Sequence, residues 1–506
     1  MQDVNVIDER IKIFWEQCDK FKSHPLETEL PNTDTHDLSD LAKTDLIKGI
    51  KAIQNVDVKA IIKMDEYSSQ LQQLQNQINT VFSNNKKVLI CGCGASGRLA
   101  VSIEYLWRTA GLENKRNNVV GFLAGGDNAM IKSLEGFEDI EDYGVKQLLE
   151  AGFEDGDLLI SATASGESPF ILAATEYASK TSIKPWFLHC NTNNALKGRI
   201  KKHVIYNPDV ISLGLFVGQM ALTGSTRMQA TTALMLGIGL PLFSKNISDD
   251  INKLAAFVDN IDMSPLKSII EKEANIYKNN EYIFYDTDPS YGITVLTDTT
   301  ERAPTFNLAP FESQLNEKIT PSWCYLLFSE TDDVKQAWHQ LLGREPRTLN
   351  WNKETSIEQL YGFDFSSKII EYRNGYATPS HYFSIKKTSD KLVINFEEIT
   401  AEFDISGLSF LLEQAVLKLL LNTSSTLMLG RLGYYTGNLM TSLYPSNSKL
   451  IDRTIRYIDF LVTKRSGKVI PYNSLANYMF KELKQLKPNE SIVLRTVNKI
   501  LEKETV

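Results

Sequence analysis

Short apolar segments that end in small residues and lead into helical segments are the feature that most constrains the fold of this chain. In the first half, such segments occur at 87–91, 118–123, 157–162, 186–190 and 202–206. Continuous apolar runs of this length are typical of strands that are covered on both faces. Their alternation with helical segments predicts a parallel sheet between two layers of helices.

A second set of apolar segments follows residue 250, at 282–285, 323–328, 368–370 and 391–394. This set predicts a second α/β domain, which agrees with a length of 506 residues, too long for one hydrophobic core. The chain before about residue 80 and after about residue 450 shows helical spacing of its apolar residues, so we expect helical segments at both ends.

Composition and charge exclude several classes of partner. The formal net charge is -8 with no large basic block, which argues against nucleic acid as a partner. We find no apolar run of about 18 residues and therefore predict no membrane span, and the polar start at 1–5 does not resemble a secretory signal. The five cysteines are scattered, which favours a reducing cytoplasm; they are Cys18, Cys91, Cys93, Cys190 and Cys324.

Neither a metal site nor a serine protease type of triad is indicated by the sequence. Cys91 and Cys93 form a C-x-C pair, but no cluster of His or Cys supplies further ligands, so we interpret them as small residues at a tight strand end. The six His residues are equally dispersed, which leaves a Ser-His-Asp arrangement without support.

Two strand ends in the first half open into loops of Gly, Ala and Ser, at 91–98 and 163–168, each before a helix. The first turn of a helix presents unpaired N–H groups and a partial positive charge, so it attracts an anion. The hydroxyls of Ser96, Ser165 and Ser168 can add hydrogen bonds. Because parallel strands place ligands at their carboxyl ends, the two loops are predicted to converge on one phosphate.

Two other loop types were weighed against this prediction. A P-loop is excluded because no G-x-x-x-x-G-K-[ST] pattern occurs. Gly92, Gly94 and Gly97 match the spacing of G-x-G-x-x-G, but no acidic residue for a ribose stands at the end of the second strand, at 121–124. We therefore rank a dinucleotide site below a site for a phosphorylated sugar.

The loop G-C-G-A-S-G-R-L at 92–99 resembles the phosphate loop of sugar isomerase (SIS) domains. More narrowly, it resembles the branch that holds bacterial N-acetylmuramic acid 6-phosphate etherases and the animal glucokinase regulatory protein. Further segments match this branch in the same order over about residues 28–455: T-H-D-L-S at 35–39, A-G-G-D at 124–127, L-E-G-F-E-D at 134–139, A-S-G-E-S-P at 164–169, T-G-S-T-R-M at 223–228, N-T-S-S-T at 422–426, G-N-L-M at 437–440 and S-N-S-K-L at 446–450.

The resemblance implies an architecture. The etherases are one-domain chains that pair as dimers, whereas the regulatory protein carries two SIS domains in one chain that mimic the dimer. The order of the segments here is similar to the latter, which implies two parallel sheets in flavodoxin-like or Rossmann-like three-layer domains that form an intrachain pseudo-dimer. The predicted parts are a helical N-terminal segment (1–55), a first SIS domain with the phosphosugar site (56–250), a second SIS domain (251–450) and a helical C-terminal segment (451–506).

The same resemblance implies a set of site residues. The etherases use two glutamates, which match Glu138 and Glu301 as catalytic residues. Glu301 lies in E-R-A-P-T-F and would act across the pseudo-dimer interface, whereas Glu104 in the first domain stands two residues too early. The regulatory protein has His where Pro304 stands here, so this segment is similar to the etherases. The implied phosphate and sugar ligands are Gly94, Ala95, Ser96, Gly97, Glu135, Ser165, Gly166, Ser168 and Lys449.

Three residues depart from the etherase pattern. Ala95 replaces the usual Thr, Glu167 stands where Arg is common, and Gln229 replaces a common Lys. Each change is expected to lower the affinity for a phosphate dianion. The second domain carries two aspartates in its own loop at 285–292, which would repel phosphate. We therefore predict one phosphosugar site per chain.

Three functions are compatible with the resemblance. The first is a carbon–oxygen lyase of amino sugar metabolism that cleaves the D-lactyl ether of N-acetylmuramic acid 6-phosphate, a reaction that needs an acid/base pair and no metal or organic cofactor. The second is a phosphosugar-sensing regulator that binds a sugar kinase. The third, an aldose–ketose isomerase, ranks last because the matching segments belong to the other branch.

Overall fold

The computed structural model describes residues 4–18, 25–110, 116–132, 134, 136–197, 199, 204–487 and 490–502. Two five-stranded sheets follow each other along the chain, and helices precede, cover and follow them. The predicted α/β class with helical ends is thus confirmed. The predicted domain boundaries at 55, 250 and 450 remain a prediction.

Helices form the N-terminal part, as predicted from the helical spacing of apolar residues. Asp45 caps the longest of them by accepting a hydrogen bond from the Lys48 N–H, and Ile50, Ile53 and Ile61 are buried on one face. The helices are α1 (Val4–Gln17), α2 (Leu38–Thr44), α3 (Leu46–Lys63) and α4 (Ser68–Ser83).

The first sheet is entirely parallel and has the strand order β2-β1-β3-β4-β5. This is the flavodoxin-like order, in which a crevice opens outside the carboxyl ends of β1 and β3. Four of its strands were predicted from their apolar runs. The strands are β1 (Val88–Gly92), β2 (Val119–Leu123), β3 (Leu158–Thr163), β4 (Trp186–His189) and β5 (Ile211–Gly214).

Helices cover both faces of the first sheet, and the sheet lies between two apolar clusters. Leu89, Leu159 and Phe187 face the cluster that Phe170 and Leu148 complete from the helices. Strand residues of the opposite side, such as Ile90 and Ile160, join the large core that continues into the second half. The helices are α5 (Gly94–Thr109), α6 (Glu141–Glu150), α7 (Pro169–Ala178), α8 (Asn193–Leu196), α9 (Gln229–Phe243), α10 (Ile247–Asn260) and α11 (Leu266–Lys278).

The prediction of a strand at 202–206 is wrong. Residues 202 and 203 lie outside the described part of the chain, and Val204–Tyr206 forms a 3-10 turn that the Asn207 N–H closes on the Val204 carbonyl. The fifth strand comes after the following Pro208-Asp209 turn, at Ile211–Gly214. The Val210 N–H in turn bonds the Asn207 carbonyl, so two consecutive turns separate Val204 from the strand.

The second sheet has the order β10-β9-β8-β6-β7 and is mixed rather than parallel. β6 pairs parallel with β7 and β8, but β8, β9 and β10 form an antiparallel meander. Two tight connections, after Thr388 and after Phe396, make the meander possible, and Ser389 and Glu397 adopt positive φ there. The strands are β6 (Tyr282–Thr287), β7 (Cys324–Leu327), β8 (Ser380–Thr388), β9 (Lys391–Phe396) and β10 (Ile399–Asp404).

The prediction of a strand at 368–370 is also wrong, because these residues begin a helix. Ile369 and Arg373 are buried whereas Glu371 between them is exposed, which fits a helix and not the two-residue alternation of a strand. The helices around the second sheet are α12 (Pro289–Phe306), α13 (Val334–Leu342), α14 (Ile357–Tyr361) and α15 (Lys368–Asn374).

A long buried helix and three amphipathic helices follow the second sheet, and the last three lie where the sequence predicts a helical C-terminal part. The long helix α16 (Phe410–Arg431) packs against α2 and α3 of the N-terminal part and against α11 and α12. The last three are α17 (Ser448–Ser466), α18 (Tyr472–Leu483) and α19 (Ile492–Glu502). None of the helices in the described ranges is long and apolar enough to cross a membrane.

A buried ion cluster joins α5 to the second half of the chain. The Glu104 carboxylate is completely buried and accepts hydrogen bonds from Arg108 at 2.7 Å and from Arg344 at 3.1 Å. Arg347 also donates to Glu104, and Arg344 binds Asp127 beyond β2. Burial alone would raise the pKa of Glu104, but Arg344 and Arg347 outweigh it and lower that pKa. Glu104 is therefore a structural group.

Replacing Glu104 with Gln should make the free energy of unfolding depend less on pH in the acid range. Because the folded-state pKa of Glu104 is lowered, its contribution is present above the ordinary carboxyl pKa and is lost as the pH falls through the folded-state pKa. We expect E104Q to lower the free energy of unfolding by about 3 kcal/mol at neutral pH. The deficit should stay constant from about pH 7 to about pH 5 and shrink as the pH falls further, measured by urea unfolding.

Glu402 offers a matched control, because its ion pair with Lys391 at 2.6 Å is half exposed. E402Q should change the free energy of unfolding by less than about 1 kcal/mol at any pH. A deficit of E104Q that stays constant with pH would contradict the assignment.

Candidate active site

The N-terminus of α5 and the end of β1 form a tight turn that leaves no room for side chains at two glycines. An added Cβ at Gly97 would lie 2.4 Å from Leu123 Cβ, and one at Gly92 would lie 2.5 Å from the Gly97 nitrogen. Gly94 has a φ of +51° and faces open space. The helix therefore begins at Gly94, earlier than the helical pattern from Arg98 predicts, and its first N–H groups point to the crevice of the sheet.

The loop that follows β3 meets the loop that follows β1, as expected of neighbouring parallel strands. Cys93 Sγ lies 3.3 Å from Ser168 Oγ, and Gly166 takes a φ of +82°. Ser165 Oγ accepts a hydrogen bond from the Glu167 N–H at 3.3 Å. Within the described part of the chain, the Ser96 hydroxyl has no hydrogen-bond partner in its own loop or elsewhere, so it is available to a ligand.

The Cys93 thiol is an unsuitable nucleophile despite its position at the helix N-terminus. Burial, and then the charge of Glu138, raise the pKa of Cys93 well above its ordinary value. The thiol therefore stays protonated at neutral pH. Its role is to fill the junction between the two loops.

Glu138 and Lys449 are brought together at this junction from opposite parts of the chain. Glu138 lies in a 3-10 turn, Phe137–Asp139, whose Glu138 carbonyl accepts from Ser168 Oγ at 3.3 Å. Lys449 lies in the first turn of α17, after the cap Asn447, and its Nζ lies 3.5 Å from Glu138 Oε1. The Glu138 carboxylate raises the pKa of Lys449. Glu135, which was predicted beside them, lies outside the described residues.

Glu301 contacts the first half of the chain, as predicted, but its partner there was not predicted. It lies on α12, is 6% exposed, and its Oε1 accepts a hydrogen bond from Arg98, one turn into α5. Arg98 is 1% exposed and donates through Nε to the Met130 carbonyl at 2.7 Å. Glu301 Oε2 makes no hydrogen bond to any described residue. The structure gives no direct contact between Glu301 and Glu138.

The structure changes the meaning of two of the three departures from the etherase pattern. Glu167 binds Arg199, with 2.7 Å between Glu167 Oε1 and Arg199 Nε, so its charge is compensated beside the loop. Gln229 is completely buried and bonds Asp57 at 2.7 Å and the Ala221 N–H at 2.8 Å. Gln229 thus has a structural role, and its expected effect on the affinity for phosphate remains a prediction. Ala95 lies in the first turn of α5, where the missing hydroxyl does remove a donor.

The equivalent loop of the second sheet is occupied by its own chain. Asp286 Oδ1 accepts from the Ser329 N–H at 3.1 Å, and Asp288 Oδ2 accepts from the Lys387 N–H at 2.8 Å. These carboxylates occupy the place where a phosphate would bind, and their negative charge would repel it. They support the prediction of one phosphosugar site per chain.

Sequence reasoning missed the pair Glu29–Arg453. Arg453 donates two hydrogen bonds to Glu29, with 2.7 Å and 2.6 Å between the atoms, and both side chains are largely buried. The sequence could have indicated Arg453 by its spacing from Lys449, because the two residues are four apart on α17 and therefore share a face. The partner Glu29, 424 residues away, could not be inferred from spacing.

The arrangement can hold the phosphate of a ligand and place carboxyl groups beside the uncharged remainder of that ligand. Helix N–H groups and the hydroxyls of Ser96 and Ser165 provide donors, Lys449 provides a positive charge, and Glu138 and Glu301 provide carboxyl groups that can transfer protons. Among the residues that the structure describes, no group of three or more His, Cys, Asp and Glu is arranged to hold a metal ion. The fold and this site are those expected of a protein with a cradle for a small phosphorylated molecule at the crevice of a flavodoxin-like sheet.

Comparison with known proteins gives the family. The model of the glucokinase regulatory protein N-terminal SIS domain matches residues 70–179. The N-acetylmuramic acid 6-phosphate etherase of Lactococcus lactis subsp. lactis (strain IL1403) is 31% identical over 213 residues, which are 42% of this chain and 67% of the relative. That of Bacillus subtilis (strain 168) is 31% identical over 210 residues, which are 42% of this chain and 65% of the relative.

The chain thus spans about two thirds of the length of the curated relatives that it matches. It belongs to the SIS-domain family, in the branch of the N-acetylmuramic acid 6-phosphate etherases and the glucokinase regulatory protein. Among solved structures, it is similar to tagatose-6-phosphate ketose/aldose isomerase from Escherichia coli, with a TM-score of 0.42 and 12% identity over 79% of this chain and 97% of that chain.

Removing either partner of the Arg98–Glu301 pair should cost more stability than removing both. R98M leaves the Glu301 carboxylate buried without its counter-charge, so we expect the free energy of unfolding to fall by about 3 kcal/mol. The double variant R98M/E301L replaces the pair by apolar groups and should recover part of this loss. Urea unfolding of the two single variants and the double variant measures the coupling.

Arg465 on α17 supplies the control, because it is exposed and its one hydrogen bond among the described residues is to Asn498 at 3.5 Å. R465M should change the free energy of unfolding by less than about 0.5 kcal/mol. Additive losses in R98M/E301L would show that the two side chains do not act as a pair.

Proposed function

We propose that this protein is a carbon–oxygen lyase that cleaves the D-lactyl ether of N-acetylmuramic acid 6-phosphate. The observation that carries the proposal is the retention of Glu138 and Glu301 in segments that match the etherase pattern. Each glutamate touches a cation next to the phosphate loops, Glu138 through Lys449 and Glu301 through Arg98. The named etherases that the chain matches over 42% of its length support it.

In this proposal the phosphate binds the first turn of α5 and the hydroxyls of Ser96, Ser165 and Ser168, while Lys449 balances its charge. This placement aligns the open-chain sugar so that its reacting carbons lie between the two glutamates. Gly94, Ala95, Gly97 and Gly166 form the backbone of the cradle.

The chemistry is a proton transfer coupled to the loss of lactate. Glu301 has one oxygen bonded to Arg98 and a second that is free to accept the proton next to the aldehyde. The electrons of that C–H bond form the double bond, and the ether bond to the lactyl oxygen breaks. Glu138, in its protonated form, donates a proton to the departing oxygen. Water then adds to the double bond: its proton passes to Glu138, and the proton held by Glu301 returns to carbon. No metal or organic cofactor takes part.

The direct test is release of D-lactate from N-acetylmuramic acid 6-phosphate by the purified protein. We expect release by the wild type, and a loss of about 100-fold or more in kcat for E138Q and for E301Q, because each removes one proton-transfer group. An enzyme-coupled lactate assay measures both. The matched control is Glu141, an exposed glutamate in the first turn of α6, where E141Q should keep the wild-type rate.

Two outcomes would contradict the proposal at different levels. A wild type that releases no lactate would exclude the etherase activity. Release that survives in both E138Q and E301Q would keep the activity but exclude this pair of glutamates.

A second function is favoured by one observation. The chain contains two consecutive five-stranded β-sheets covered by helices, and it matches the model of the regulatory protein's N-terminal SIS domain. We propose as the alternative a phosphosugar-sensing regulator of a sugar kinase. Stabilisation by fructose phosphates in a thermal shift assay, together with co-purification of a glucokinase, would support it, and absence of both would exclude it. The five free cysteines support a cytoplasmic location for either function.

A further inference from the structure

Three polar residues of α17 form a stripe along one face of the helix, at intervals of four residues. Lys449, Arg453 and Tyr457 each contact a different part of the first half of the chain. Residues at this spacing lie above one another on a helix. The face of α17 that carries Lys449 is therefore the face by which the helix is attached.

Each attachment is specific. Arg453 holds Glu29 with two hydrogen bonds, of 2.7 Å and 2.6 Å, and the Tyr457 hydroxyl donates to the Thr223 carbonyl at 2.7 Å. An added Cβ at Gly224 would come within 2.7 Å of the Tyr457 hydroxyl and 2.8 Å of Arg453 Nε. The helix thus packs directly on the backbone of the T-G-S-T-R-M segment.

The segment that carries Glu29 is itself tied to the second phosphate loop. Glu27 accepts a hydrogen bond from the Thr192 N–H at 2.6 Å, and the Thr28 N–H donates to Asn191 Oδ1 at 3.0 Å. Asn191 in turn donates to the Ala164 and Ser165 carbonyls at 3.1 Å and 3.2 Å. A short chain of hydrogen bonds therefore connects the loop at 163–168 to Arg453 through residues 27–29.

Lys449 depends on such a connection for its position. Its long side chain is 45% exposed and its one contact among the described residues is the 3.5 Å approach to Glu138. A lysine has many rotamers and a point charge, so its location is decided by where the helix holds its Cα. Arg453 lies one turn further on, and it fixes that turn against Glu29.

We propose that Glu29, Arg453 and Tyr457 are positioning residues that hold Lys449 over the phosphate loops. The inference rests on the proposed function in one respect, namely that Lys449 contacts the phosphate of the sugar. Glu29 and Arg453 themselves do not touch the ligand. Burial alone would raise the pKa of Glu29, but Arg453 outweighs it and lowers that pKa, so the pair remains charged at neutral pH.

The experiment is a double-mutant cycle on the binding of N-acetylglucosamine 6-phosphate, which has no lactyl ether to cleave. Isothermal titration calorimetry gives the affinities of the wild type, E29Q, K449A and E29Q/K449A. We expect K449A to weaken binding about tenfold, because a charge-assisted contact is lost, and E29Q to weaken it about fivefold. The double variant should bind within about twofold of K449A, because Glu29 acts through Lys449.

The control variant is E482Q. Glu482 binds Arg495 at 2.8 Å, and this pair joins α18 to α19 within the same C-terminal helices. E482Q removes a similar Glu–Arg pair and should leave the affinity unchanged. R453K should behave as E29Q does, because lysine lacks the fork that binds both carboxylate oxygens. Melting temperatures of the free proteins establish that every variant is folded.

The outcomes separate this inference from the proposed function. A wild type that does not bind N-acetylglucosamine 6-phosphate would overturn both. Binding by the wild type that is weakened by K449A, with E29Q unchanged or with losses that multiply in E29Q/K449A, would overturn the positioning role alone. Equal weakening by E482Q would likewise assign the effect to general damage and overturn it.

Discussion

The close packing of α5 on the first sheet is the constraint on which the rest of the structure depends. An added Cβ at Gly121 would lie 2.1 Å from the Ala100 carbonyl oxygen, and Gly97 is equally confined by Leu123. Because the helix can approach the strands so closely, its first turn opens at the crevice of the sheet. Its next turns then direct Arg98 to Glu301 and Glu104 to Arg344, so one helix forms the cradle and joins the halves.

Much of the fold could be predicted because its strands are buried on both faces. The runs that became β1, β2, β3 and β4 are continuous in apolar residues, and burial alone selects strands there. The errors fall where this signal is absent. Residues 368–370 are three apolar-rich positions that fit a helix turn as well as a strand, and the half-exposed β8 alternates instead of running apolar, so the antiparallel meander was not foreseen.

The candidate site was predictable only in part, for a different physical reason. Loops at strand ends are local, so glycine and serine patterns indicate Ser96, Ser165 and Ser168 directly. Charge compensation is not local: the partners of Glu167 and Glu301 are Arg199 and Arg98, 32 and 203 residues away. A pattern in the sequence shows that a charge is present, but only the fold shows which charge balances it.

The contact between α5 and α12 has a consequence for how the site is assembled. When two halves of a site belong to separate chains, the fraction of complete sites depends on protein concentration. Here Arg98 and Glu301 belong to one chain, so their encounter is intramolecular and its effective concentration is fixed by the fold. The two halves are also free to differ, since a change on α12 is not copied onto α5. Dilution therefore leaves the Arg98–Glu301 contact intact in each chain.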